Sequence, residues 1–175
     1  ALGYAEESGI PYGIGFIKNR YIGRTFILPT QKERERAVHI KLNVLEAAVK
    51  GKRVVLVDDS IVRGTTSIQI TKMLRDAGAT EVHLRISSPP FINPCYFGTD
   101  IDSKDKLIAC RMSMEEIRRT LDVDTLGYLS IEHCAQIART TTGCEFCMGC
   151  FTGKYPIDVP EEKPCDKFSQ KLCNK

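Results

Sequence analysis

A short, continuous apolar run constrains the fold of this chain more than any other feature. Lys52 to Val57 reads KRVVLV, is rich in β-branched residues and is followed at once by turn residues. A run of this kind is typical of a strand buried on both faces of a parallel sheet. Ser67 to Ala77 then has a helical pattern, and Glu81 to Ser87 alternates like a second strand. A strand, a helix and a strand within about 35 residues form a βαβ unit, which predicts an α/β fold whose parallel sheet is flanked by helices.

Further elements are predicted on both sides of this unit. The pattern predicts helices at 1–8, 33–49, 104–110, 114–121 and 130–139, and short strands at 12–16 and 126–129. After Thr140 the chain is rich in Thr, Gly and Cys. After Tyr155 it is rich in Pro and charged residues, a composition that is typical of a loose tail. We therefore expect an α/β domain at 1–129, a helix and cysteine-rich segment at 130–155, and a tail at 156–175.

Composition narrows the class of protein. Hydrophobic residues make up 42% of the 175 residues, which argues against wholesale disorder. No apolar run approaches the roughly 18–20 residues needed to span a membrane, and a net charge of +3 does not predict a nucleic-acid partner. No secretory signal precedes the first helix, so we expect a cytoplasmic protein. The chain opens on Ala1 within that helix, and we expect a fragment or a processed form.

The loop after the first buried strand contains two chemically different groups of residues. Asp58 and Asp59 place two negative charges at the strand end, while a glycine and three hydroxyl residues open the next helix. Helix N–H groups and a glycine turn favour a phosphate there, and the carboxylates then suit a hydroxyl-rich or cationic part of the same ligand. A sugar phosphate satisfies both ends. Each of these residues could instead be an ordinary turn or capping residue. The candidate phosphate-binding residues are Arg63, Gly64, Thr65, Thr66 and Ser67.

The string VVLVDDSIVRGTTS resembles the phosphoribosylpyrophosphate loop of type I phosphoribosyltransferases. Four further strings resemble one family among them, the glutamine phosphoribosylpyrophosphate amidotransferases: ALGYAEESGIPYG, IKNRYIGRTFI, VHLRISSPP and CMGCFTGKYP. The resemblance covers nearly all of residues 1–155. It implies a type I phosphoribosyltransferase fold, truncated at its N-terminus and followed by a cysteine-rich segment.

The resemblance also implies roles for individual residues. Asp58 and Asp59 match the acidic pair that lies against the ribose hydroxyls and the associated Mg²⁺, and Arg63 to Ser67 match the cradle of the 5′-phosphate. Lys18 to Thr25 match a flexible loop that closes over the substrate; a solvated basic surface is the alternative for this segment. Its residues suited to the pyrophosphate charge are Lys18, Arg20 and Arg24, and Tyr21 would shield the site.

In the family, ammonia displaces pyrophosphate from carbon 1 of the ribose, and positive charge develops on the sugar ring. Carboxylates stabilise that charge without acting as nucleophiles. A glutaminase domain, expected upstream of Ala1, releases the ammonia from glutamine, so we expect residues 1–175 alone to lack glutamine-dependent activity. The resemblance further implies purine nucleotides as feedback ligands and a homo-oligomer.

Eight cysteines are many for this length, and Cys144, Cys147 and Cys150 form a C-x₂-C-x₂-C pattern. This spacing allows either a zinc ion or a [4Fe–4S] cluster. The resemblance implies a cluster bound by Cys95, Cys147 and Cys150 with a fourth ligand upstream of this chain, and it leaves Cys144 as an extra thiol. The cysteines without a matching partner are expected to be reduced structural thiols: Cys110, Cys134, Cys165 and Cys173.

Two other classes of function remain open from the sequence. The chain could belong to a regulator that senses phosphoribosylpyrophosphate without turnover, because the same loop would serve binding alone. It could also be a small metal-binding module in which the loop is vestigial. Turnover would distinguish an enzyme from the first, and phosphoribosylpyrophosphate binding would argue against the second.

Overall fold

The computed structural model of this chain describes residues 1–18, 42–99, 101 and 103–159. The strands are β1 (Phe16–Lys18), β2 (Leu42–Val44), β3 (Arg53–Asp58), β4 (Glu81–Ile86) and β5 (Thr125–Tyr128). The helices are α1 (Leu2–Ser8), α2 (Glu46–Val49), α3 (Thr65–Asp76), α4 (Ile108–Arg111), α5 (Met114–Thr120), α6 (Ile131–Thr142) and α7 (Gly149–Thr152). A 3₁₀ turn covers Lys104–Lys106.

The predicted βαβ unit is confirmed. Strands β3 and β4 pair in parallel, from Arg53 opposite Glu81 to Asp58 opposite Ile86, and α3 connects them. A three-stranded sheet has the order β3-β4-β5. In β4 the side chains of Val82, Leu84 and Ile86 are buried, as the alternating sequence predicts.

The chain divides into two compact units. The first contains Ala1–Asp58, Gly64–Ile86 and Arg118–Gly127, and the second contains Asp59–Arg63, Ser87–Ile117 and the chain from Tyr128 onward. Both units are therefore built from separate stretches of sequence. The expected division at residues 129 and 155 stays a prediction.

A polar junction ties α3 of the first unit to its sheet. The Arg75 guanidinium donates to the Asp124 carboxylate at 2.7 Å and to the carbonyl of Thr80 at 3.1 Å. The same carboxylate accepts the Val82 N–H at 2.6 Å. The Val82 N–H and the Arg75 charge hold the pKa of Asp124 below its ordinary value, although partial burial opposes this shift. The junction connects helix, strand and the turn before β5.

The second unit has a small apolar core made of Phe91, Ile101 and Leu107. Cys95, Cys150, Phe151 and Val62 pack against this core. The Phe91 and Phe151 rings lie with centroids 4.8 Å apart at an interplanar angle of 49°. This tilted geometry is favourable for two aromatic rings.

Some predicted elements are wrong in type or length. Residues 42–44, predicted as part of a helix over 33–49, form strand β2, which pairs antiparallel with β1. Their side chains alternate in burial, and strand pairing outweighs the helical spacing. Of the rest of that prediction, residues 33–41 lie outside the described residues, and Glu46–Val49 is helical as predicted and forms α2. Strand β1 begins at Phe16 rather than at residue 12, after a stretch that contains a proline and two glycines.

The helix predicted at 130–139 continues to Thr142. The hydroxyl groups of Thr140, Thr141 and Thr142 donate to the carbonyls four residues earlier, and Gly143 ends the helix with φ +70°. The Thr-, Gly- and Cys-rich segment after residue 140, for which the sequence pattern predicts no further helix, also contains α7. No helix within the described ranges is long and apolar enough to cross a membrane.

Candidate functional site

The acidic pair stands where β3 ends. Asp58 is the last residue of the strand and is half-buried, whereas Asp59 is exposed. The Ser60 hydroxyl donates to the Asp59 carboxylate at 2.7 Å. A carboxylate exposed at the carboxyl end of a parallel strand lies where ligands bind in open α/β sheets.

The backbone at Gly64 begins helix α3 in a conformation that favours glycine. Gly64 is buried and has φ +82°, a left-handed value that costs other L-residues roughly 1–2 kcal/mol. Its carbonyl accepts the first intrahelical bond from the Ile68 N–H at 2.9 Å. The amides of Thr65 to Ser67 precede that bond, so they have no acceptor within the helix. This is the arrangement of donors that a phosphate requires.

The three hydroxyl residues in the first turn of α3 differ in accessibility. Thr66 is exposed and Thr65 is half-buried, whereas Ser67 is only 5% exposed. A bound phosphate could therefore reach the Thr66 hydroxyl, while Ser67 is suited to contribute its amide. The sequence pattern does not indicate which of these two hydroxyl groups is accessible.

The middle of the loop is anchored within the second unit. Ile61 is 2% exposed, and the Ile108 N–H donates to the Val62 carbonyl at 2.9 Å. Arg63, predicted to bind the phosphate, is exposed. An anchored loop with an exposed guanidinium suits recognition of an anion.

The predicted substrate-closing loop is only partly described. Lys18 is the exposed last residue of β1 and lies opposite Leu42 of β2. Residues 19–41 therefore connect two antiparallel strands. The other three predicted residues of this loop lie outside the described residues: Arg20, Tyr21 and Arg24.

Cys95 lies in a turn whose amides surround its sulfur. The Thr99 N–H donates to Cys95 Sγ at 3.3 Å. Burial raises the pKa of this thiol, but the backbone N–H groups of Phe97, Gly98 and Thr99 outweigh it, so the net pKa is lowered. N–H groups directed at a sulfur stabilise its thiolate, which is the form that binds metals.

Cys150 has the opposite electrostatic environment. Burial, followed by the negative charges of Cys95 and Cys147, raises the pKa of Cys150 to about 11. Cys95 and Cys150 pack against the same apolar core, and Cys147 is exposed. A cation bound among the three sulfurs would relieve this repulsion. Within the described ranges, however, no three His, Cys, Asp or Glu side chains are grouped closely enough to hold a metal ion.

The remaining described cysteines have other environments. Cys110 donates its thiol hydrogen to the Ile92 carbonyl at 3.3 Å, Cys134 is half-buried in α6, and Cys144 is exposed. All six cysteines in the described part of the chain are free thiols. Cys165 and Cys173 lie outside the described residues.

Sequence reasoning missed two residues beside the cysteines. The Tyr155 hydroxyl donates to the Pro94 carbonyl at 2.7 Å, 61 positions away. The ring of Tyr155 lies directly against Gly149, where a Cβ atom would overlap ring atoms. A tyrosine and a glycine in the string CMGCFTGKYP were visible, but nothing in the sequence indicates their contacts.

The chain was compared with family models, with curated proteins and with solved structures. No protein-family model matches the chain. An amidophosphoribosyltransferase of Archaeoglobus fulgidus is 56% identical over 164 residues, which are 93% of this chain and 36% of that protein. The chain spans roughly a third of the length of the curated relatives it matches.

Two solved structures are also similar. The glutamine phosphoribosylpyrophosphate amidotransferase from Bacillus subtilis, complexed with ADP and GMP, is 54% identical with a TM-score of 0.77. The match covers 93% of this chain and 36% of that one. A structure of an allosteric regulatory enzyme of purine biosynthesis is 53% identical with a TM-score of 0.77, over 92% of this chain and 35% of that one.

Proposed function

Because this chain belongs to the amidophosphoribosyltransferase family, we propose that it is the phosphoribosyltransferase part of a longer enzyme. That enzyme transfers the phosphoribosyl group of phosphoribosylpyrophosphate to ammonia derived from glutamine, and releases pyrophosphate and 5-phosphoribosylamine. This is the first committed step of purine synthesis. The observation that carries the proposal is the β3–α3 loop, in which a strand-end acidic pair precedes a left-handed Gly64 at a helix start.

Asp58 and Asp59 are the proposed electrostatic groups of the reaction. Two fixed negative charges stabilise the positive charge that develops on the ribose ring as pyrophosphate leaves. They also suit Mg²⁺, because carboxylate oxygens are its preferred protein ligands. No nucleophilic side chain is required, since ammonia attacks carbon 1 directly.

The start of α3 is the proposed cradle of the 5′-phosphate. The amides of Thr65 to Ser67 and the exposed Thr66 hydroxyl supply donors, and exposed Arg63 supplies positive charge. Lys18 is exposed beside residues 19–41, and it is proposed with Arg20, Tyr21 and Arg24 to cover the pyrophosphate. Charge-assisted hydrogen bonds of this kind are stronger than neutral ones.

Calorimetric titration of the full-length protein with phosphoribosylpyrophosphate and Mg²⁺ tests this proposal. Loss of two charge-assisted contacts in Asp58→Asn/Asp59→Asn should weaken binding by about 100-fold or more. Asp76→Asn is the matched control, because Asp76 is an exposed carboxylate of α3 that pairs with Lys72 at 3.0 Å.

Equal affinity of wild type and the double variant would refute the assigned roles. Tight, Mg²⁺-dependent binding without any turnover would instead favour the non-enzymatic regulator.

The second part of the proposal is a [4Fe–4S] cluster held by Cys95, Cys147 and Cys150, with one ligand outside this chain. The donor chemistry supports it: Cys95 and Cys150 pack against the same apolar core, and the Thr99 N–H donates to Cys95 Sγ. In the described part of the chain these thiols are not grouped closely enough to hold a metal ion by themselves. When bound, the cluster would cross-link the chain and neutralise the sulfur charges. No step of the reaction depends on it.

Iron and sulfide assays after anaerobic purification test the cluster. Cys147→Ser should lose most of the iron, whereas Cys144→Ser should retain it; both thiols are exposed, so they are matched. Equal iron in the two variants would refute the ligand assignment. Stoichiometric zinc in wild type would favour the local zinc site.

Ligands and location complete the proposal. The Bacillus subtilis relative is complexed with ADP and GMP, which supports purine nucleotides as feedback ligands of this protein. We also propose a homo-oligomer and a cytoplasmic location.

A further inference from the structure

The second unit brings two distant segments together beside the candidate cluster ligands. One segment contains Pro94, Cys95 and Tyr96, and the other contains Gly149 and Tyr155. A hydrogen bond, ring packing and main-chain hydrogen bonds join the two segments.

Tyr155 reaches both sides of Cys95. Its hydroxyl donates to the Pro94 carbonyl at 2.7 Å, one residue before the cysteine. Its ring packs edge-on against Tyr96, with centroids 5.2 Å apart at 80°, one residue after the cysteine. The Phe97 ring lies tilted at 6.4 Å from it. The turn that carries Cys95 is thus held from both flanks by one side chain.

Gly149 lets that ring approach the other segment. A Cβ atom built at Gly149 would overlap Cδ1 and Cε1 of Tyr155, and Cγ would be only 2.9 Å away. Gly149 is buried and stands between Cys147 and Cys150 in sequence. Any side chain here would have to displace the ring from its place.

The main chain adds a second link between the segments. The N–H groups of Ile92 and Asn93 both donate to the Cys150 carbonyl at 3.0 Å. Cys150 is therefore joined by its backbone to the residues that lead into Cys95. These bonds depend on the separation of the two segments, so they report on it.

We infer that Gly149 and Tyr155 form a clasp with the Pro94 carbonyl, and that this clasp positions Cys95 against the Cys147–Cys150 segment before any metal binds. Tyr155 is then a positioning residue rather than a ligand. The inference rests on the proposed cluster only for its purpose; the clasp itself is a statement about protein contacts.

Amide hydrogen exchange and iron content in the full-length protein test the inference together. Tyr155→Phe keeps the ring and loses the hydroxyl, so the amides of Ile92, Asn93 and Cys95 should exchange about two- to tenfold faster, as expected for one lost hydrogen bond. Gly149→Ala displaces the ring and should raise exchange further. The same order should appear as lower iron content and faster loss of visible absorbance in air.

The controls are Tyr12→Phe and Gly13→Ala. Tyr12 is 53% exposed, and a Cβ at Gly13 would meet nothing within 4 Å. Neither variant should change exchange at residues 92–95 or iron content. Exchange is measured both as purified and after removal of iron, so that loss of a cluster cannot imitate loss of the clasp.

Unchanged exchange at residues 92–95 in both Tyr155→Phe and Gly149→Ala would overturn the clasp. Faster exchange with full iron retention would overturn its positioning role. Faster exchange in the iron-free protein, together with a wild type that never binds iron, would support the clasp and refute the cluster instead.

Discussion

The β3–α3 loop and the cysteine region differ in how their candidate residues are assembled. The loop residues follow one another from Asp58 to Ser67, and a strand end and a helix start orient them. The cysteine region combines Cys95 with Cys147 and Cys150, which follow it by more than fifty positions in sequence. There the orientation comes from side-chain packing and from Tyr155.

The candidate residues of the two regions are therefore oriented by different kinds of interaction. In the loop, backbone conformation at Gly64 and the first turn of α3 present the amides, so few long-range contacts are needed. In the cysteine region, loss of one distant contact can move a ligand without changing any neighbouring residue. The two regions should therefore respond differently to core, backbone and surface substitutions.

The largest expected effect is from Phe91→Ala. Phe91 is 8% exposed and stacks on Phe151, and truncation of a buried phenylalanine costs about 3 kcal/mol or more. Urea unfolding should show the loss, and hydrogen exchange should rise at Ile92 and Asn93. Ile92→Ala is the control, because Ile92 is 38% exposed and should cost far less.

Hydrogen exchange in Phe91→Ala also shows whether the sheet and the cysteine region unfold together. If Phe91→Ala also removes protection from the buried amides of β4, at Val82 and Leu84, the two regions unfold as one cooperative body. Retained protection in β4 would mean that the cysteine region opens separately.

Gly64→Ala has the next largest expected effect. Its left-handed φ should cost alanine about 1–2 kcal/mol of stability, and relaxation of the turn should weaken phosphoribosylpyrophosphate binding. Gly64→Asn should be milder, because asparagine tolerates this conformation better. Thermal unfolding and calorimetry measure both quantities. Wild-type stability and affinity in Gly64→Ala would show that the local turn does not control the loop.

Two hydroxyl variants distinguish the accessible side chain from the buried one at the start of α3. Thr66→Ala should weaken phosphoribosylpyrophosphate binding about two- to tenfold, the value of one hydrogen bond. Ser67→Ala should leave affinity unchanged, because the Ser67 side chain is buried. Calorimetric titration of the two variants side by side gives the answer. A larger loss of affinity in Ser67→Ala would reverse the assignment.

The smallest expected effect is the contribution of Asp124 to the loss of stability at acidic pH. The pKa of Asp124 is lowered in the folded state, so its stabilisation is present above the unfolded pKa of about 3.9 and is lost as pH falls through the lower folded value. The side chain is 38% exposed, which limits the contribution to less than about 1 kcal/mol. Asp124→Asn should be less stable near neutral pH and should lose less stability on acidification.

Urea unfolding at neutral and acidic pH measures this effect, with Asp76→Asn as the exposed carboxylate control. If the stability of Asp124→Asn and of wild type depends on pH in the same way, the junction of Arg75, Asp124 and Val82 does not contribute to the pH dependence of stability.

Patterns of adjacent residues predicted the βαβ unit well. Pairings between residues that are distant in sequence were predicted less well. The apolar run before Asp58 and the alternation in 81–86 identified two paired parallel strands. The spacing of Leu42, Leu45 and Val49 suggested a helix, but pairing with Phe16–Lys18 makes 42–44 a strand. Short apolar segments carry too little periodicity to decide between the two, and tertiary pairing decides.

The sequence alone determined the order of chemistry along the β3–α3 loop and the family resemblance of the chain. Acidic residues, glycine and hydroxyls at consecutive positions have their geometry imposed by a strand end and a helix start. The accessibility of each hydroxyl depends on tertiary packing, and so does the contact by which Tyr155 links Gly149 to Pro94. The physical reason is range: backbone conformation follows from neighbouring residues, whereas burial and side-chain contacts depend on residues brought together by the whole fold.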